Sequence, residues 1–339
     1  MERRDFRRYK VPVTVFAALF IVVGLWGAAD VTTHPPVGYW TGTGHVVAGV
    51  VPGSAADTAG IKVNDRVRSI DNIPVGETSE LAKMPAPRVG ETHSYVVDRD
   101  GETLSLAVVI APPGMALLMQ EVGVALVGWC FLLCGVWALL RRPTRATWLL
   151  ALTGLFMGFG PLPRVNQQAV SQVLEFLVNI SGMLGFALLL HFLLVFPRPK
   201  AMIQKKDTAP WLYLLALLWV LFYAAVRFFE LPEGVSTAFS FMTPLVALFY
   251  MASSLGAVLN GYLEAGPSER RGAGLTAVLV AAIIGLVPSI AQMALLAFAP
   301  GVSLPGAQYY VLALVLLPFA LARGAVRPMP APEPRVDAL

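Results

Sequence analysis

Eight apolar stretches, at roughly 11–29, 115–140, 146–162, 169–196, 210–229, 238–262, 273–298 and 306–323, constrain the fold of this chain more than any other feature. A helix that crosses the hydrocarbon core of a bilayer needs about 20 mostly apolar residues. No water is present there to satisfy open backbone groups, so such runs must fold as helices or closed barrels, and runs this long read as helices. Composition agrees: 56% of the 339 residues are hydrophobic and only 14% charged, outside the range of ordinary water-solvated domains. The expected fold class is therefore a membrane protein with an N-terminal transmembrane helix, a small β-rich domain in the one long polar gap at 30–114, and an all-α bundle of about seven transmembrane helices. The expected division is 1–32, 33–113, 114–325 and a Pro-rich tail at 326–339.

Orientation follows from the basic residues, because short cytoplasmic loops are enriched in Lys and Arg. With the N-terminus inside, 17 of the 25 Lys and Arg fall in cytoplasmic segments, among them Arg7, Arg8, Lys10, Arg141, Arg142, Arg145, Arg198, Lys200, Arg270 and Arg271. The short loops opposite keep Arg164 and Arg227, and six more lie in the polar gap. Both termini are expected in the cytoplasm and the gap domain outside it. The pI near 9.1 then reflects orientation in a lipid membrane, and no basic patch interleaved with aromatics points to nucleic acid. Gly27-Ala28-Ala29 resembles a signal-peptide cleavage site, but Val11 to Ala29 exceeds the usual apolar core of a signal peptide, so an uncleaved anchor is expected.

The gap reads as strands, tight turns and short helices. Val46, Val47, Val50 and Val51 are strand formers, Pro52-Gly53 is a turn, and Ser54 is placed to cap a short helix ended by Gly60. Val63 to Ile70 is a second strand, and Asp100-Gly101 closes a hairpin between Ser94–Asp98 and Glu102–Ile110. The alternation predicts Val47, Val67, Ile70, Val96 and Leu106 as buried.

These motifs carry a resemblance. Gly44-His45-Val46-Val47, Pro52-Gly53-Ser54-Ala55-Ala56, Ala59-Gly60-Ile61-Lys62-Val63-Asn64-Asp65 and Ile70-Asp71-Asn72, in that order, resemble the PDZ domains of bacterial HtrA-type proteases over about 40–112. The resemblance implies recognition of protein C-termini or extended peptides, the peptide adding itself as a strand. It places the carboxylate loop at Gly44, His45, Val46 and Val47, the pairing edge at Val47, Gly49 and Val51, and the other groove wall around Glu80 and Met84. His45 stands where the family commonly has a hydrophobic residue. A second reading of the same loop is a plain turn in a rigid spacer.

No catalytic set is expected. The four histidines, His34, His45, His93 and His191, lack a zinc-protease spacing, and no Gly-x-Ser-x-Gly occurs. Ser181 and His191 lie ten residues apart on one helix, too far for a dyad. Cys130 and Cys134 lie one turn apart on one helix, poorly placed for a mutual disulfide and too few for a metal. No cofactor or metal is expected.

In the membrane runs, Gln168, Gln172, Glu175 and Asn179 recur at steps of 4, 3 and 4 and form one polar stripe. The stripe fits either interhelical hydrogen bonding or a ligand-facing surface. Gly154 with Gly158, and Gly182 with Gly185, are spaced for close helix approach, and Pro288 is a potential kink. Leu190-His191-Phe192-Leu193-Leu194-Val195-Phe196-Pro197 resembles a pattern in the membrane regions of bacterial sensor histidine kinases and serine phosphatases, some of which begin with one helix and an outside PDZ domain. That resemblance implies a sensor or adaptor in a bacterial inner membrane that couples a bound peptide to a cytoplasmic kinase or phosphatase partner. The alternative is an assembly factor tethering envelope proteins to a membrane complex.

Overall fold

The computed structural model describes residues 6–327 apart from 42, 77, 82–83, 160–167, 205–208, 230, 232, 300–301, 303 and 305. A 3-10 turn leads into α1, Lys10–Asp30. Six strands and two short helices follow: β1 Tyr39–Thr41, β2 Val47–Val50, α2 Ala55–Thr58, β3 Arg66–Ile70, β4 Ile73–Pro74, α3 Thr78–Leu81, β5 Thr92–Arg99 and β6 Glu102–Val109. The remainder is helical: α4 Met115–Arg141, α5 Arg145–Phe159, α6 Gln168–Val195, α7 Ala201–Gln204, α8 Trp211–Phe228, α9 Glu233–Glu264, α10 Pro267–Gly272 and α11 Leu275–Phe298. A nine-residue 3-10 segment, Ala307–Val315, runs directly into α12, Leu316–Val326.

Among the described residues, seven helices are long and apolar enough to cross a membrane, where eight runs were expected. The difference is α5, whose 15 described residues fall short of a bilayer's thickness and whose expected last residues, 160–162, lie outside the described ones. Thr144 sets its start: the Thr147 amide donates to Thr144 Oγ1 and the Thr144 amide to Thr147 Oγ1. α5 is nevertheless an inner helix. Leu150, Ala151 and Thr153 are fully buried, and Gly154 and Gly158 press against the Phe131 and Gly128 carbonyls of α4. The expected glycine contacts hold there and at Gly185, which meets Met157, but space beside Gly182 is open. α11 continues through Pro288, and α9 through Pro244. Cys130 and Cys134 are free.

One end of the bundle gathers the chain's basic turns. Lys10 Nζ donates to the Leu140 carbonyl at 2.7 Å, Tyr9 stacks on Trp148, and the Arg142 guanidinium donates to the Arg327 carbonyl. Arg198 pairs with Glu269 at 2.9 Å on the same side, and Gly324 abuts Phe196 and Ala273. α1 starts at this end, antiparallel to α4, so the β-rich segment between them is left at the opposite end.

That segment forms a two-stranded sheet, β1-β2, and a four-stranded sheet in the order β4-β3-β5-β6. Asp100 and Gly101 both take positive φ, 52° and 87°, as a two-residue hairpin turn demands. The resulting register pairs Arg99 with Glu102 and Thr92 with Val109. Val47, Val67, Val97 and Val108 fill the core with Ala56 and Ile61. Val97 and Tyr95 are the inward residues of β5, so Val96, expected inside, points to the other face; a strand's period of two allows one choice or the other.

Candidate functional site

The short helix α2 anchors the start of the β-rich region. Ser54 accepts the Asp57 amide, and Gly60, at φ 82°, ends the helix in a conformation that suits glycine. Just upstream, the Val37 carbonyl accepts the Ala56 amide at 2.9 Å, and a Cβ on Gly38 would collide with the Ser54 side chain. These contacts fix where β1 begins.

At Val47, β2 is flanked on both sides. β1 covers one edge, pairing Tyr39 with Val50, Trp40 with Gly49 and Thr41 with Val47. On the other edge the Val47 amide donates to the Asp65 carbonyl at 2.7 Å, the Asn64 amide donates to the Val47 carbonyl at 2.9 Å, and Val46 bridges Arg66. The indole of Trp40 lies over Gly49, and Val51 is buried with its amide given to the Gly38 carbonyl. Val47, Gly49 and Val51 are therefore not the pairing edge that the sequence implies, because their backbone groups and faces are already occupied. The amide of Val47 is equally unable to converge with those of Gly44 to Val46 on a carboxylate.

The open edge belongs to β1, where the two-stranded sheet ends. In an antiparallel pair, successive residues turn their backbone groups to opposite sides. The Gly38 carbonyl faces β2 through its bond to Val51, so the N–H and C=O of Tyr39 face outward, as do those of Thr41, opposite the outward-bonded Val47. The sequence reading missed this edge. Its signal was the Tyr39-Trp40-Thr41 triplet, three good strand formers after Pro35-Pro36.

Gly44 and His45 form the turn from β1 to β2, both left-handed at φ 68° and 60°. Space beside Gly44 is open, whereas His45 is half-buried and has an interaction partner. The turn lies against α9. Glu80 is exposed on α3, and Met84 is half-buried just beyond it, with its amide on the Leu81 carbonyl at 3.1 Å. α3 packs on β4 and against α8. The β1–β2 turn and α3 thus rest on two adjacent helices of the bundle.

Charged pairs brace the surrounding sheet. Asp65 is 1% exposed and accepts two bonds from Arg99, at 2.6 and 2.7 Å, while Arg99 also reaches the Gly60 carbonyl. This pair ties the Lys62–Asp65 turn to β5 and keeps the Arg99 guanidinium firmly protonated. Burial would raise the Asp71 pKa, but the bonds from His93 at 2.6 Å and the Ser94 amide at 2.7 Å outweigh it and hold the carboxyl below its ordinary value. Arg68 holds Asp98 low in the same way. Burial pushes the Tyr39 hydroxyl up, and Tyr95 more so, where the two rings meet edge to face.

The stripe on α6 is only partly visible. The side chains of Gln168, Gln172 and Glu175 lie outside the described residues, and Asn179 is exposed on the helix. Farther along the same helix His191 is buried, with Nδ1 2.7 Å from the Tyr213 hydroxyl and Nε2 3.4 Å from the Arg145 guanidinium. Among the described residues no group of three or more His, Cys, Asp and Glu is placed to hold a metal ion.

No curated protein and no solved structure matches the chain. A family model described as a PDZ domain does match, over residues 46–91, so the β-rich segment at the α1–α4 end of the bundle contains a PDZ domain.

Proposed function

We propose that this protein is a non-enzymatic membrane sensor or adaptor whose PDZ domain captures an extended peptide on the open edge of β1 and passes occupancy to a cytoplasmic signalling partner through the helical bundle. The observation that carries this reading is the position of β1. Its Tyr39 and Thr41 backbone groups are unclaimed by the sheet, and the turn that ends it sits on α9 while α3 sits on α8. A peptide added at that edge bonds main chain to main chain, and any shift of β1 or α3 bears on two helices that reach the basic end of the bundle. Proposed boundaries are 33–113 for the peptide-binding domain, outside the cytoplasm, and 114–325 for the bundle, with both termini inside a bacterial cytoplasmic membrane. Glu80 and Met84 complete the groove opposite β1.

A peptide antiparallel to β1 brings its C-terminus to Gly38, at the start of the strand, rather than to Gly44. The test is titration of free-acid and amidated peptides with apolar last residues against the full chain in detergent. Free-acid peptides should bind at micromolar strength, about −8 kcal/mol. Thr41→Pro deletes an outward N–H without touching the β1–β2 bonds, and should weaken binding roughly tenfold, the size of one lost hydrogen bond. Gly44→Asn, which tolerates the left-handed turn and whose Cβ would meet open space, should leave affinity unchanged. Equal binding by wild type and Thr41→Pro would remove β1 as the site.

A further inference from the structure

The basic end of the bundle contains a cavity of about 540 Å³ between the turn after α6 and the last turns of α9. Leu194, Pro197 and Ala265 form its apolar wall, and Arg198, Lys200, Glu264 and Glu269 bring charge to it. It lies where two apolar spans, Phe176–Val195 and Thr237–Glu264, both stop, the level at which lipid headgroups meet a protein.

The four charges are not equivalent. Glu269, with its side chain 11% exposed, is already neutralised by Arg198 at 2.9 Å. Lys200 and Glu264 remain, and among the described residues no ion pair joins them. Lys200 Nζ donates to the Ala257 carbonyl at 3.1 Å, which uses one of an ammonium's three hydrogens. Lys200 and Glu264 both line the cavity; burial lowers the Lys200 pKa and the Glu264 charge opposes that shift. A bare anion on Lys200 would meet the Glu264 carboxylate, and a bare cation on Glu264 would meet the Lys200 ammonium. A ligand carrying both signs meets neither penalty.

We propose that this cavity binds the phosphoethanolamine headgroup, with its phosphate on Lys200 and its primary ammonium on Glu264. Choline fits less well: a quaternary ammonium has no N–H to donate to Glu264, and among the described residues no aromatic ring lines the cavity to receive it instead. A glycerophosphate headgroup lacks the cation altogether. The same chemistry is offered by phosphatidylethanolamine in the bilayer and by free O-phosphoethanolamine.

Native mass spectrometry of the full chain, released from an equimolar mixture of phosphatidylethanolamine, phosphatidylcholine and phosphatidylglycerol, reads the lipid source. Thermal unfolding of the full chain with added O-phosphoethanolamine reads the free one. The ethanolamine lipid should exceed each of the others about tenfold in adducts, the selectivity of a charge-assisted hydrogen bond. Glu264→Gln should erase that preference. Gly261→Leu, whose side chain would grow toward Pro197 and Lys200, should erase binding itself, and Arg271→Gln, outside the lining, should change nothing. Lipid adducts without a response to the free headgroup assign the bilayer as source, and the reverse assigns the soluble compound. Equal adducts of all three lipids with no thermal response, or a preference that survives Glu264→Gln, overturns the proposal. If Gly261→Leu fails to fold, Glu264→Gln still decides it.

Discussion

In the PDZ domain side chains fill the interior, whereas at the tightest contacts of the bundle backbone meets backbone. Val47, Val97 and Val108 are fully buried between the sheet and α2, and water drives their burial. Between α4 and α5, glycines bring the helices together: a Cβ on Gly135 would stand 2.7 Å from the Leu150 carbonyl oxygen, and one on Gly158 would stand 3.0 Å from that of Gly128. Lipid tails are as apolar as leucine, so helices in a bilayer gain little from hiding apolar surface and depend on close packing. The two regions should therefore fail in different ways.

The largest expected effect is in the bundle. Gly154→Leu drives a side chain into the Phe131 carbonyl and the Leu132 backbone, which have no room to yield, and should prevent a folded, monodisperse protein in detergent. Gly182→Ala, on a helix face with open space, is the control and should leave the stability unchanged or raise it by up to about 1 kcal/mol. If both variants behave alike, glycine contact is not what joins α4 to α5.

In the PDZ domain the largest effect should come from charge. Asp65→Asn leaves the Arg99 guanidinium without its counter-charge beside a buried turn, at a cost of about 2–3 kcal/mol, since Arg99 retains some access to water. Amide hydrogen exchange across β3 and β5 of the full chain should accelerate, while exchange in α4 and α5 stays as in wild type. Faster exchange in the bundle as well would show that the two regions unfold as one.

A smaller effect, with a definite sign, attaches to Asp71. Its folded pKa is lowered, so its contribution is fully present above the ordinary aspartate value and is lost as pH falls through the folded one. Exchange protection at Ser94 and its neighbours, after correction for intrinsic rates, should fall below about pH 4. Asp71→Asn should remove that step, at a cost below about 1 kcal/mol for so exposed a group. A step that persists in the variant assigns it to another carboxylate.

The apolar runs were legible in sequence because a run this long leaves few alternatives to a helix, and among the described residues seven of them stand as helices long enough to cross a membrane. The hairpin at Asp100-Gly101 was legible because two consecutive left-handed residues need such a pair. The site was less so. Motif order located the PDZ domain but pointed to β2, since a run of valines looks the same at the edge of a sheet and in its middle. Similarly, nothing in the spacing of Asp65 and Arg99, or of Arg145, His191 and Tyr213, marks them as partners.

What the sequence determined by itself was therefore local: which segments are helices, where the strands turn, and that a PDZ domain lies between the first two long apolar helices. Tertiary structure decided which strand keeps a free edge, which face of β5 turns inward, and which charges at the basic end are already paired. Those outcomes depend on hydrogen-bond partners and neighbours supplied from far along the chain, and a backbone amide carries no mark in sequence of whether another strand has claimed it.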